Sequence, residues 1–234
     1  MGPFRRALLV AIAVMVATPD ARAQAPTPSS IEGPVYVVIY VEVMPPAIAE
    51  GGALLKRYRA ATRTEDGNLR CELVQRIGQS HQFAILEVWR DQKAFEAHGK
   101  GASSTDMRGK IAAIRNAPTD ERVHTGLSVG SIATTPAAGA VYVLTHVDVI
   151  PPRKDDGVAA VKQLADDSRS GAGNVRFEVV QQASRPNHFT VVEVWTNAKA
   201  VEAHSMAAAT RQFRDKLASM TGALYDERMY TAID

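Results

Sequence analysis

The residues whose types and spacing suit chemistry come in two matching sets. Glu87-Val88-Trp89 is followed nine residues on by His98, and Glu193-Val194-Trp195 is followed at the same interval by His204. The two sets hold both tryptophans of the chain. An imidazole titrates in the range useful to a general base. An indole can wall a pocket while its N–H donates to a substrate oxygen. Trp89, Trp195, His98 and His204 are therefore the candidate catalytic residues. The packing alternative is a core tryptophan beside a helix-end histidine that hydrogen-bonds nearby backbone. Glu87 and Glu193 lie between apolar strand residues, where a buried carboxylate needs a partner. An arginine of the other set is the expected one.

Further candidates for substrate contact are Tyr40 and His146, which occupy matching positions in the two halves. A polar aromatic that changes identity between them suggests a pocket wall, against a partly exposed strand residue as the alternative. Phe83 and Phe189 join them and the two glutamates as the proposed substrate-contacting group. Asn68 and Asn174 follow glycines and read as turn residues. Arg70 with Glu72, and Arg176 with Glu178, alternate along a strand as a solvated ladder or as ion pairs. Arg122 and Arg228, in Asp-Glu-Arg, read as structural.

The elements that must hold these residues repeat without a gap. Val35-Tyr36-Val37 realigns on Val141-Tyr142-Val143, and Pro45-Pro46 on Pro151-Pro152. Gly67-Asn68 realigns on Gly173-Asn174, and Asp120-Glu121-Arg122 on Asp226-Glu227-Arg228, all at an offset of 106 residues. More than a third of the aligned pairs are identical, so the chain carries two domain-sized copies of one unit. Within the first copy, Val35 to Met44 is a β-branched run stopped by Pro45-Pro46. Leu54, Leu55 and Tyr58 fall at helical spacing over Ala47 to Thr62. Leu69 to Ile77 and Gln82 to Trp89 are strands joined across Gly78-Gln79-Ser80. Asp91 to Ile114 is helical with a break around Gly99 to Ser104, and Glu121 to Val129 is a last strand. The order β-α-β-β-α-β is the ferredoxin-like unit of the α+β class. Such a unit leaves one sheet face uncovered. Two copies can cover each other, which predicts an intrachain dimeric α+β barrel with pseudo-two-fold symmetry.

The flanking segments set the boundaries. Arg5 and Arg6, the apolar run Ala7 to Ala17 and the small residues of Ala21-Arg22-Ala23 have the anatomy of an export signal over residues 1–23, cleaved before Gln24. The expected location is periplasmic or secreted. Residues 24–33 form a Pro- and Ser-rich lead, 34–129 and 140–234 the two domains, and 130–139 a linker. No later apolar run is long enough to span a bilayer. The chain has 27 Lys and Arg against 25 Asp and Glu. The leader takes Arg5, Arg6, Arg22 and Asp20, leaving the remainder balanced. That is no surface for nucleic acid, which needs a clustered basic excess. The single cysteine, Cys71, precludes an intrachain disulfide. Its counterpart is Phe177, so the position reads as apolar core.

A βαββαβ unit of this length, with Glu-Val-Trp ending the third strand and Ala94-x-x-x-His98 (Ala200-x-x-x-His204) on the next helix, resembles the antibiotic biosynthesis monooxygenase family. The resemblance covers both copies and implies a fused dimer able to act as a monomer. It implies oxidation of a phenolic or quinol-like small aromatic, with molecular oxygen as co-substrate and no metal or flavin. The chain lacks a Gly-rich dinucleotide fingerprint, a CxxC pair and a His-x-x-x-His spacing, as a cofactor-free site would. It departs from many members in having no second histidine in Gly99 to Met107 or Ser205 to Phe213. The alternatives are a non-catalytic periplasmic binder of small aromatic ligands, and haem binding or degradation. The haem reading is disfavoured because the first strand offers no asparagine.

Overall fold

The computed structural model describes residues 31–132, 136 and 138–233. The expected export signal and most of the expected lead segment lie outside the described residues, as does part of the expected linker.

Each half follows the expected order. The first has β1 (Val35–Glu42), α1 (Ile48–Thr62), β2 (Asn68–Arg76), β3 (Gln82–Trp89), α2 (Gln92–Lys100), α3 (Ala102–Ile114) and β4 (Asp120–Ser128). The second has β5 (Val141–Asp148), α4 (Lys154–Arg169), β6 (Asn174–Gln182), β7 (His188–Trp195), α5 (Ala198–Ser205), α6 (Ala208–Ala218) and β8 (Asp226–Ala232). The paired prolines do more than end a strand. With their fixed φ and missing N–H they start one 3-10 turn, Pro45–Ala47 and Pro151–Arg153, that leads into each first helix.

The eight strands close into one barrel in the order β1-β3-β2-β8-β5-β7-β6-β4, with β4 pairing back onto β1. Within each half the central pairing is long, running from Val35↔Trp89 to Glu42↔Gln82 and from Val141↔Trp195 to Asp148↔His188. The halves join along two short antiparallel seams, β2–β8 (Val74↔Ala232 to Arg76↔Tyr230) and β4–β6 (His124↔Gln182 to Ser128↔Val179). Closure leaves no free sheet edge. It also explains why the strands read as continuous apolar runs: one face packs on helices, the other fills the lumen.

Side-chain alternation therefore separates the cores beneath the helices from the packing of the lumen. Val35, Val37, Leu55, Tyr58, Ile85 and Trp89 pack under the first half's helices. Val141, Val143, Val161, Phe177, Val191 and Trp195 do so in the second. Val38, Leu86, Tyr142, Leu144, Val192 and Tyr230 fill the lumen. Glu87, Trp89, Glu193 and Trp195 all face helices, not the lumen.

Candidate active site

In the first half the site is built by three local devices. Gly67, at φ +81°, turns the chain into β2, and the Arg90 N–H just past Trp89 donates to its carbonyl at 2.8 Å. A Cβ on Gly67 would lie 2.5 Å from that of Ala94, so Gly67 and Ala94 form one close contact that sets α2 against the end of the hairpin. Asp91 caps α2, its carboxylate accepting from the Ala94 N–H at 2.8 Å. The helix then carries His98 back over Trp89, with ring centroids 4.4 Å apart. The second half repeats the arrangement. Gly173 has φ +81° and a Cβ there would meet Ala200 at 2.7 Å. Asn197 caps α5 through Ala200 at 3.0 Å, and Trp195 and His204 stack at 4.6 Å. The recurring Ala of Ala-x-x-x-His is thus a packing requirement of the glycine turn.

In both halves the tryptophan N–H donates to the glutamate two residues before it, Trp89 to Glu87 at 2.9 Å and Trp195 to Glu193 at 2.8 Å. The expected arginine partner is corrected here. Glu87 also accepts from the Tyr58 hydroxyl at 2.6 Å, so its hydrogen-bond donors belong to its own half. The histidines do not simply bind backbone either. His98 Nδ1 meets Glu65 at 2.7 Å, while Nε2 meets both Tyr58 and Ser104 at 2.8 Å. Both ring nitrogens are thereby occupied.

The second half departs from this at matching positions. Leu164 stands where Tyr58 is, Gly171 where Glu65 is, Phe177 where Cys71 is and Thr210 where Ser104 is. Tyr58 with Cys71 and Leu164 with Phe177 trade bulk between the same two sites. His204 is left loosely held. Its Nε2 lies 3.4 Å from Glu193, and the Thr210 hydroxyl donates to the His204 carbonyl at 2.8 Å, staying 3.4 Å or more from the ring nitrogens. A cavity of about 170 Å³ opens beside the two rings, lined by Ser168, Gly171, Trp195, Ala203, His204 and Thr210 among others.

Electrostatics sharpen the contrast. Burial pushes Glu193 up to about 8, against which the Trp195 N–H is a lesser, opposing influence. Burial, with the Arg214 charge second, pulls His204 down to about 4. At neutral pH the pair is a protonated carboxyl beside a neutral imidazole. Glu87 is also raised by burial, opposed by the Tyr58 hydrogen bond.

The remaining candidates lie elsewhere. Tyr40 and His146 project from β1 and β5, opposite each other in the strand order, and meet edge to face in the lumen at 5.4 Å. Arg122 donates to His146 Nε2 across 2.7 Å, and burial takes His146 down to about 3. Phe83 and Phe189 sit six residues back along their strands from the tryptophans, roughly 20 Å away at strand rise. The structure brings neither pair to the tryptophan–histidine cluster. Asn68 and Asn174 open β2 and β6 at a register shift, consistent with the turn reading. The strand arginines pair across the lumen. Arg70 grips Glu178 at 2.9 and 2.6 Å, and Arg176 grips Glu72 at 3.2 and 2.6 Å. Cys71 is buried and its thiol is pushed well up by burial, so it is inert core.

Tyr58, Glu65, Ser104 and Thr210 escaped sequence reasoning. Tyr58 reads as an ordinary apolar position of α1. The usable signal was the disagreement between aligned copies at Tyr58/Leu164 and Glu65/Gly171. Among the described residues no group of three or more His, Cys, Asp or Glu is placed to hold a metal ion, and no helix is long and apolar enough to cross a membrane.

A closed eight-stranded barrel made of two ferredoxin-like halves, each with a buried Glu-Trp-His cluster beneath its helices, defines a fused dimeric α+β barrel. The sequence profile of the family described as "Antibiotic biosynthesis monooxygenase" matches residues 34–110 and 140–216, well over half of the chain. The chain belongs to that family, and monooxygenase chemistry is the activity its membership supports. It is 29% identical over 85 residues to "Putative monooxygenase YcnE" of Bacillus subtilis (strain 168), covering 36% of this chain and 85% of that protein. Two solved structures share the whole barrel. One is the "Putative monooxygenase (FN1347)" of Fusobacterium nucleatum (TM-score 0.76, 16% identity, 86% of this chain and 93% of that one). The other is an "anthrone oxidase-like protein" (TM-score 0.68, 14% identity, 88% and 94%). At such identities they speak for the fold alone.

Proposed function

We propose that the chain is an exported monooxygenase, periplasmic or secreted, that oxidises a phenolic or quinol-like aromatic with molecular oxygen as co-substrate and no cofactor. The observation that carries this reading is His204, stacked on Trp195 at 4.6 Å and lining a partly open cavity of about 170 Å³. A phenol in that cavity would place its hydroxyl at a base and its ring among apolar walls.

The chemistry balances without a reductant. His204 takes the phenolic proton. The phenolate passes electrons to O2, and a C–O bond forms at the ring carbon para to the hydroxyl. The O–O bond then breaks as that carbon loses its hydrogen. One oxygen atom stays as a quinone carbonyl; the other leaves as water with the two protons released. The substrate is oxidised by four electrons and O2 is reduced by four. A protonated Glu193 presents no negative charge to repel the phenolate, and the phenolate's charge raises the basicity of His204 as the proton moves.

A cavity of about 170 Å³ falls short of the roughly 300 Å³ at the lower end of ordinary ligand sites, which counts against haem there. Oxygen uptake measured with a panel of phenols and hydroquinones tests the reading. Uptake that is abolished in His204→Ala is the expected result. Binding of phenols without any oxygen uptake would favour the non-catalytic binder instead. Export is tested by sequencing the N-terminus of the secreted protein, expected to begin at Gln24.

A further inference from the structure

Each half has the same Glu-Trp-His cluster, and the residues around it differ in one direction. In the first half Tyr58, Glu65 and Ser104 saturate His98, whose side chain is 4% exposed against 10% for His204, while Trp89 and Trp195 are both buried. The Glu65 carboxylate stands at 2.7 Å from the outward nitrogen of the ring. In the second half the matching position is Gly171, with no side chain. A Cβ there would come 2.9 Å from the Ser168 carbonyl oxygen and 3.4 Å from the edge of the Trp195 ring. Removal of that one wall is what leaves the edge of Trp195 and the ring of His204 facing the cavity.

The cavity's size speaks to the occupant. An apolar cavity of roughly 150 Å³ accepts benzene, and this one is about 170 Å³, so its size suits one ring with small substituents. Its lining includes Ala172, Ala203, Ala207 and Trp195 as an apolar body, with Ser168, Thr210 and His204 as polar groups and the Asp167 carboxylate as its one acidic member. That suits a phenol.

We propose that the two halves have divided their roles: the C-terminal half binds and oxidises a single-ring phenol at His204, while Tyr58 and Glu65 lock the N-terminal half as a closed, structural copy. The choice of phenol rests on the function proposed above; the division of the halves rests on the geometry alone.

The two tryptophans allow each half to be read separately. Trp89→Phe leaves only Trp195 as an emitter, and Trp195→Phe leaves only Trp89. Phenol titrated anaerobically is expected to change the emission of Trp195 and leave that of Trp89 unchanged. Ala203→Phe, an exposed helix position at the cavity mouth, is expected to weaken phenol binding at least tenfold, as is Gly171→Glu, which restores the first half's wall. Tyr58→Leu with Glu65→Gly should make Trp89 responsive. An equal response from both tryptophans, a response from Trp89 alone or from neither, or unchanged binding in both cavity-filling variants would overturn the proposal. A ligand-free measurement separates it from the substrate reading. With diethyl pyrocarbonate, His204 is expected to be modified at least tenfold faster than His98, read by mass spectrometry. Equal rates would overturn the division. Faster modification of His204 without oxygen uptake on any phenol would support the division while overturning the monooxygenase reading.

Discussion

Tyr58 donates to Glu87 at 2.6 Å and reaches His98 Nε2 at 2.8 Å, so one hydroxyl ties the carboxylate and the imidazole of the first half together. Leu164, its counterpart, has nothing to donate. Tyr58→Phe therefore leaves a buried carboxylate one donor short, which costs about 1–3 kcal/mol. Urea unfolding should show that loss in the midpoint with the slope unchanged.

Glu193 is predicted to be a liability to stability at high pH. Its folded pKa of about 8 is raised above the unfolded value. Its protonated form is therefore favoured in the fold below the unfolded pKa near 4.5, and that advantage is lost as pH rises toward 8. Glu193→Gln keeps the shape without the ionisation. Its melting temperature should exceed that of the parent by more at pH 9 than at pH 5, whereas a constant difference would show that Glu193 does not titrate in this window.

The lumen histidines act in the opposite direction. Burial lowers His124 to about 4 and His146 to about 3. Both are depressed, so the stability they contribute is present above pH 6.5 and is lost as pH falls through 4 toward 3. At about 1.4 kcal/mol per pH unit these shifts correspond to on the order of 3 kcal/mol for His124 and 5 kcal/mol for His146. Urea midpoints followed from pH 7 to pH 4 should fall, and less steeply in His124→Gln.

The ion quartet Arg70–Glu178 and Arg176–Glu72 links β2 to β6 through the lumen. Glu178→Ala strands a buried guanidinium and should cost about 3–5 kcal/mol. Replacing all four by apolar residues of similar volume should cost far less. A calorimetric comparison of the two variants checks the difference; equal losses would mean that the pairs contribute net stability.

Gly173 is the most sensitive single position of the repeated motif. Its φ of +81° and the 2.7 Å approach to Ala200 penalise any side chain twice. Gly173→Ala should cost about 2 kcal/mol or more. In a domain of this size that lowers the melting temperature by roughly 4–8 °C.

The repeat, the order of elements and the barrel were legible in the chain because each rests on local information. Hydrophobic period, Pro-Pro stops, glycine turns and a constant offset are properties of neighbours in sequence. The same local information located Glu87-Val88-Trp89 and His98 as a unit, since a capped helix of nine residues leaves little choice about where it returns.

What the tertiary structure alone decided was the company each side chain keeps. Arg70 and Glu178 lie 108 residues apart, and only closure of the barrel makes them partners, while Glu87 takes its donors from its own half. Tyr40 and His146, equivalent in sequence, meet in the lumen because β1 and β5 end opposite each other, away from the tryptophans. The difference between a sealed cluster and an open one depends on Tyr58 and Glu65 against Leu164 and Gly171. Those substitutions look like ordinary helix and turn variation until packing places them over a histidine. Periodicity assigns a residue to a face; only the packed fold determines which residues of other elements share it.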